Sequence, residues 1–282
     1  MRLLTAAVLF VCAAGSASAT PAAQMAYVER RGLLEADTQC RLFTPDVRAA
    51  LQAGAGAARG ALLRGGWTRA QMDDLEQATV AAARERTCND ARTLQAADGA
   101  RAGFVGWARA LNMSFPGWER SWTAHRFADI QGWRLSQDIA PGIQFGVRDR
   151  NNTQSFSLLM ALAPDQAAPA TAQIVLRDRT RANAALLELR GRNITGLQAG
   201  APSPASALHF LASARRIEPA DRFHGQQLVF EFPQAAFQAM VGLDPREAIE
   251  IQLQQGGRTQ TLLVEVGDIA VARAFLTARA AS

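Results

Sequence analysis

Three groups of arginines have the residue type and spacing best suited to a chemical role. They lie at the ends of predicted strands: Arg148 and Arg150; Arg177, Arg179 and Arg181; Arg190 and Arg192. Alternate residues project from one face of an extended strand, so each group would present its guanidinium groups together. A planar guanidinium grips phosphate or carboxylate with two parallel hydrogen bonds. If these strand ends converge, they form an anion-binding rim; the alternative is a set of solvated positions that protect strand edges from aggregation.

Tryptophans are concentrated between residues 107 and 133, which contain four of the five in the chain. Trp118, Trp122 and Trp133 form a candidate aromatic surface, because indole rings stack on sugars and fill binding pockets. The alternative use of the same residues is to pack one part of the chain onto another. We favour packing, because the cluster straddles a predicted domain boundary.

No catalytic or metal-binding signature is present in the sequence. It lacks His-Glu-x-x-His, Gly-x-Ser-x-Gly and any Cys/His cluster of zinc spacing, so we expect no cofactor and no metal. His125, with Ser121 and Asp129 nearby in sequence, is the least poor candidate for a hydrolytic triad. We therefore expect a protein without enzymatic activity, and keep an envelope hydrolase with a site assembled from scattered residues as one alternative.

The N-terminus has the three parts of a secretory signal peptide. A positive start at Arg2 is followed by a short apolar run from Leu3 to Ala14 and by small residues at 17–19. The apolar run is too short for a membrane anchor, and no later stretch is apolar over the length of a spanning helix. We expect residues 1–19 to be removed and the mature chain to be periplasmic or secreted, with no transmembrane segment.

Two cysteines, Cys40 and Cys88, remain once Cys12 leaves with the predicted signal. An even cysteine count in an exported protein favours a disulfide. Cys40 precedes one predicted helix and Cys88 ends the next, so antiparallel packing of those helices would bring the two together.

The charge of the chain is modest, and its positive part is carried by arginine alone. All 30 basic residues are arginine, and the formal net charge is +5. Together with the signal peptide, this argues against nucleic acid as a partner. We expect binding of an anionic envelope component or of another envelope protein; a structural or assembly factor without a small ligand is the other alternative.

The pattern of apolar residues changes along the chain from a helical period to a period of two. Helical stripes and capping residues predict about four helices within residues 20–115, with Thr44-Pro45 and the Thr68/Gln71 capping box marking two starts. Alternating runs predict strands within residues 116–282, including one at 185–189. Helices are predicted at 233–241 and after Asp268, and Ser203-Pro204 predicts the start of a short helix to about Ala214. The predicted fold class is α+β: a helical module, then an antiparallel β sandwich or partial barrel with helical additions and a C-terminal helix.

Overall fold

Four helices form the N-terminal part of the protein. The structure is a computed structural model that describes residues 19–128, 132–150, 152–163, 167–182, 185, 202–219 and 225–278. The helices are α1 (Ala19–Cys40), α2 (Pro45–Arg64), α3 (Arg69–Arg84) and α4 (Ala91–Arg109). The predicted capping box is present: the Thr68 hydroxyl accepts from the Gln71 amide at 3.2 Å, and the Gln71 side chain accepts from the Thr68 amide at 2.8 Å.

The predicted disulfide between Cys40 and Cys88 is confirmed. Cys40 is the last residue of α1, Cys88 lies just beyond α3, and their α-carbons are 5.5 Å apart. Helices α1 and α3 pack against each other, which brings these two ends together. Among the described residues, none of the helices has the length and apolar character needed to cross a membrane.

Two antiparallel sheets follow the helices. The larger sheet contains, in spatial order, β1 (Asn112–Pro116), β2 (Ser121–Arg126), β3 (Gly132–Ala140), β4 (Ile143–Arg150), β5 (Thr153–Leu162), β9 (Gln226–Phe232) and β8 (Ala214–Pro219). The smaller sheet contains β11 (Arg258–Glu265), β10 (Ala248–Gln255), β6 (Thr171–Arg177) and β7 (Ala207–Leu211). Within the described part of the chain neither sheet closes into a barrel. The predicted α+β class is confirmed.

Two short helices complete the β-rich part, and one predicted helix is absent. Helices α5 (Gln234–Val241) and α6 (Ile269–Thr277) lie where the sequence predicts them. The prediction of a helix after Ser203 is wrong: a single 3₁₀ turn at Pro204–Ser206 leads directly into β7. A strand expected at 185–189 falls largely outside the described residues.

The inner face of the larger sheet is aromatic and buried. Phe145, Phe156 and Phe232 pack together, with ring centroids 4.7 to 6.2 Å apart. The polar Gln137 is also fully buried on this face, where its amide exchanges hydrogen bonds with the backbone of Glu265 at 2.9 and 3.2 Å. This pairing fixes the end of β11 against β3, because a buried amide must find partners.

The helical and β-rich parts share one core. Ala53 of α2 lies in the same buried cluster as the sheet residues, and α6 packs against both α2 and β2. Arg64 of α2 donates to both carboxylate oxygens of Asp268, at 2.7 and 2.8 Å, just before α6. Helix α4 ends at Arg109 and β1 begins at Asn112, so the change from helices to strands comes a few residues before the boundary expected between residues 115 and 116.

Candidate functional site

A cleft of about 590 Å³ opens on the outer face of the larger sheet, opposite the aromatic core. This volume is within the range of small-molecule sites, about 300 to 1,000 Å³. Its floor is formed by outward-facing residues of β3, β4, β5, β9 and β8, since successive residues of a strand point to opposite faces.

Two arginines stand side by side at one end of the cleft. Arg134 of β3 is directly opposite Arg148 of β4 in the strand register, and both are partly buried. Directly opposed side chains on antiparallel strands have β-carbons about 5 Å apart. Two neighbouring guanidinium groups offer several N–H donors, which suit the oxygens of a phosphate or carboxylate. Ser155 of β5 lies opposite Arg148 and adds a hydroxyl to the same end.

Small side chains line the middle of the cleft. Ser136, Gly146 and Ser157 are neighbours in the register of β3, β4 and β5, and all three are buried although they face outward. A β-carbon at Gly146 would lie 2.8 Å from the α-carbon of Ser136 and would also clash with the carbonyl oxygen of Leu135. Strands β3 and β4 therefore approach closely here, and the absence of a side chain at Gly146 makes the cleft deeper at this point.

The opposite end of the cleft has an apolar floor with polar flanks. Leu159 of β5 is opposite Val229 of β9, and the β3–β4 hairpin at residues 140–143 forms the adjacent wall. On the β8 side, Arg216 donates to Glu231 at 2.9 Å and lies 3.8 Å from Glu218. The two carboxylates on this flank are thus engaged by an arginine of the same flank.

The five predicted arginines that the structure describes do not form one rim. Arg148 lines the cleft, and Arg150 lies two residues further along β4, exposed and outside the cleft lining. Arg190 and Arg192 lie outside the described residues. Three further arginines line the cleft without forming part of the predicted groups: Arg120, Arg134 and Arg216.

The structure corrects the prediction that Arg177, Arg179 and Arg181 share one face of a strand. β6 ends at Arg177, whose guanidinium is buried and donates to both carboxylate oxygens of Glu247 at 2.8 and 2.6 Å. The next residue, Asp178, starts a turn: its side chain accepts from the Thr180 amide at 2.9 Å. The turn removes the alternation on which the prediction depends.

Of the two uses considered for the tryptophans, the structure shows the favoured one, packing, for Trp122 and Trp133. Trp122 is completely buried and donates from its indole nitrogen to the carbonyls of Glu265 and Val266, at 3.0 Å each. Trp133 is buried in the same core. Of the three, only Trp118, in the β1–β2 turn, is exposed, so Trp122 and Trp133 serve packing and the three rings form no common surface.

The described residues bring no triad together. Ser121 and His125 are four residues apart on β2, which separates their α-carbons by about 13 Å. The His125 Nδ1 contacts the Asn112 side chain instead, and Asp129 lies outside the described residues. The described part of the chain also contains no group of acidic, histidine and cysteine side chains that could hold a metal.

Comparison with protein-family models, with curated proteins and with solved structures found no match.

Proposed function

We propose that this protein is an exported, non-enzymatic binding protein that holds an anionic ligand in the cleft of its larger sheet. The observation that carries the proposal is the direct register of Arg134 and Arg148 at one end of a cleft of about 590 Å³. Partial burial strengthens charge-assisted hydrogen bonds, and two adjacent guanidinium groups match the several oxygens of a phosphate or carboxylate.

Export is supported by two independent features. The first is the order of charge, apolar run and small residues in positions 1–19, which is that of a secretory signal. The second is the disulfide between Cys40 and Cys88, since disulfides persist in oxidising compartments. A ligand from the cell envelope is the class most available to a protein in that location.

Isothermal titration calorimetry with inorganic phosphate and with citrate tests the binding proposal. The variant changes Arg134→Gln and Arg148→Gln together. A matched control changes Arg109→Gln and Arg150→Gln, two exposed arginines outside the cleft lining, so net charge falls equally. We expect at least about tenfold weaker binding per cleft arginine removed, from the loss of charge-assisted hydrogen bonds, and little change in the control.

Equal weakening in the folded variant and the control would reduce the binding to a general charge effect and overturn the proposal. Failure of both anions to bind the unmodified protein at low salt would overturn it as well. Circular dichroism of each variant verifies that it is folded.

A further inference from the structure

We infer that the ligand of this cleft is an anionic amphiphile, with an oxyanion head and a single apolar chain. This inference rests on the proposed function, and it concerns the half of the cleft that the arginines do not reach. The chemistry at the two ends differs, so one small anion would leave the apolar end unoccupied.

The distance between the two ends follows from the strand register. Ser155 is opposite Arg148, and Leu159 lies four residues further along the same strand, β5. Four residues of an antiparallel strand span about 13 Å, so the apolar floor begins that far from the arginines. A ligand that fills both ends must therefore be long as well as charged.

The apolar floor is continuous with a hairpin wall. Leu159 faces Val229 across β5 and β9, Ala161 follows on the same face, and Pro141 and Ile143 close the end. Val229 is 4% exposed although it points outward, and Leu159 is partly exposed. An apolar chain on this floor would cover the remaining surface of Leu159 without displacing a charged group.

The middle of the cleft permits a chain to pass between the ends. Ser136, Gly146 and Ser157 present only small side chains, and larger residues in the same row would block the path. Two carboxylates, Glu231 and Glu218, lie on the β8 side of the cleft. Arg216 engages both, so they do not repel the head group directly.

The test compares decyl phosphate, inorganic phosphate and the uncharged decyl maltoside by calorimetry, all below the concentrations at which the amphiphiles form micelles. Each methylene group that leaves water strengthens binding by about fourfold, so we expect decyl phosphate to bind at least tenfold more tightly than phosphate. Decyl maltoside should bind more weakly than decyl phosphate, since it has no charge for Arg134 and Arg148.

Substitutions at Leu159 and Arg148 test the two ends of the cleft separately. Leu159→Gln should reduce the affinity for decyl phosphate roughly tenfold and leave that for inorganic phosphate unchanged. Leu211→Gln is the control, a leucine of β7 that is 67% exposed and outside the cleft lining. Arg148→Gln should weaken the binding of both phosphates.

Equal affinity of decyl phosphate and inorganic phosphate would overturn the amphiphile inference and leave the anion proposal standing. Identical behaviour of Leu159→Gln and Leu211→Gln would do the same. If Arg148→Gln changes the binding of neither phosphate, the proposed function itself fails, and the inference fails with it.

Discussion

Removal of the buried Arg177 guanidinium should be among the most destabilising single changes in the β-rich part. The Arg177 and Glu247 side chains are only 3% and 2% exposed, and two hydrogen bonds of 2.8 and 2.6 Å join them. Arg177→Met removes this guanidinium from the buried Glu247 carboxylate. Breaking a buried ion pair in this way lowers the free energy of unfolding by about 3 to 5 kcal/mol.

Replacing both partners with apolar residues should restore part of that loss. Arg177→Met with Glu247→Leu removes both charges, and such replacements are often close to neutral. The Asp244 amide would still lose its 2.9 Å hydrogen bond to Glu247, and the Ala182 carbonyl would lose the one from Arg177, at about 1 kcal/mol each. The double variant should therefore be about 2 kcal/mol less stable than the unmodified protein.

Urea denaturation followed by circular dichroism measures these differences. For a chain of this size, the single variant should also lower the melting temperature by roughly 10 °C. Arg179→Gln is the control: it changes an exposed arginine two residues away and should stay within about 0.5 kcal/mol of the unmodified protein. A loss below about 1 kcal/mol for Arg177→Met, or a double variant as unstable as the single one, would refute the reasoning.

Three further predictions concern other parts of the molecule. Replacing Cys40 and Cys88 by alanine should lower the free energy of unfolding by about 4 kcal/mol in the chain-entropy model, as measured by urea denaturation. Burial and the neighbouring Glu76 raise the pKa of Tyr27, the sole tyrosine, to about 12. Ultraviolet titration should therefore show phenolate forming near pH 12, and this group's contribution to stability, complete below about pH 10, should disappear as pH rises through about 12. Gly146→Ala should lower the melting temperature, because its methyl group meets the β3 backbone; an unchanged melting temperature would contradict the close approach.

Local signals in the sequence are sufficient to predict the four N-terminal helices. Thr68 and Gln71 satisfy amides at the start of α3, and Pro45 suits the first position of α2, so these helix starts follow from neighbours in sequence. The disulfide is predictable because Cys40 and Cys88 lie at helix ends that meet. Predicting these features requires no knowledge of how distant strands pair.

The cleft depends on strand register, which the sequence patterns do not reveal. Arg134 escapes prediction because β3 does not alternate simply: the polar Gln137 occupies an inner position, held by the backbone of Glu265. The prediction that Arg177 shares one strand face with Arg179 and Arg181 is wrong, because Asp178 turns the chain at the point where the alternation should continue. In both cases a hydrogen bond to a polar side chain overrides the simple pattern.

The most direct test of the anion-binding cleft is nuclear magnetic resonance of the arginine Nε–Hε groups during titration with inorganic phosphate. Spectra of Arg134→Gln, Arg148→Gln and Arg150→Gln assign the three signals. The proposed site predicts saturable shifts of the Arg134 and Arg148 signals at a common midpoint, with Arg150 nearly unchanged. Shifts that are equal at all three, or that leave Arg134 and Arg148 unaffected, would contradict it.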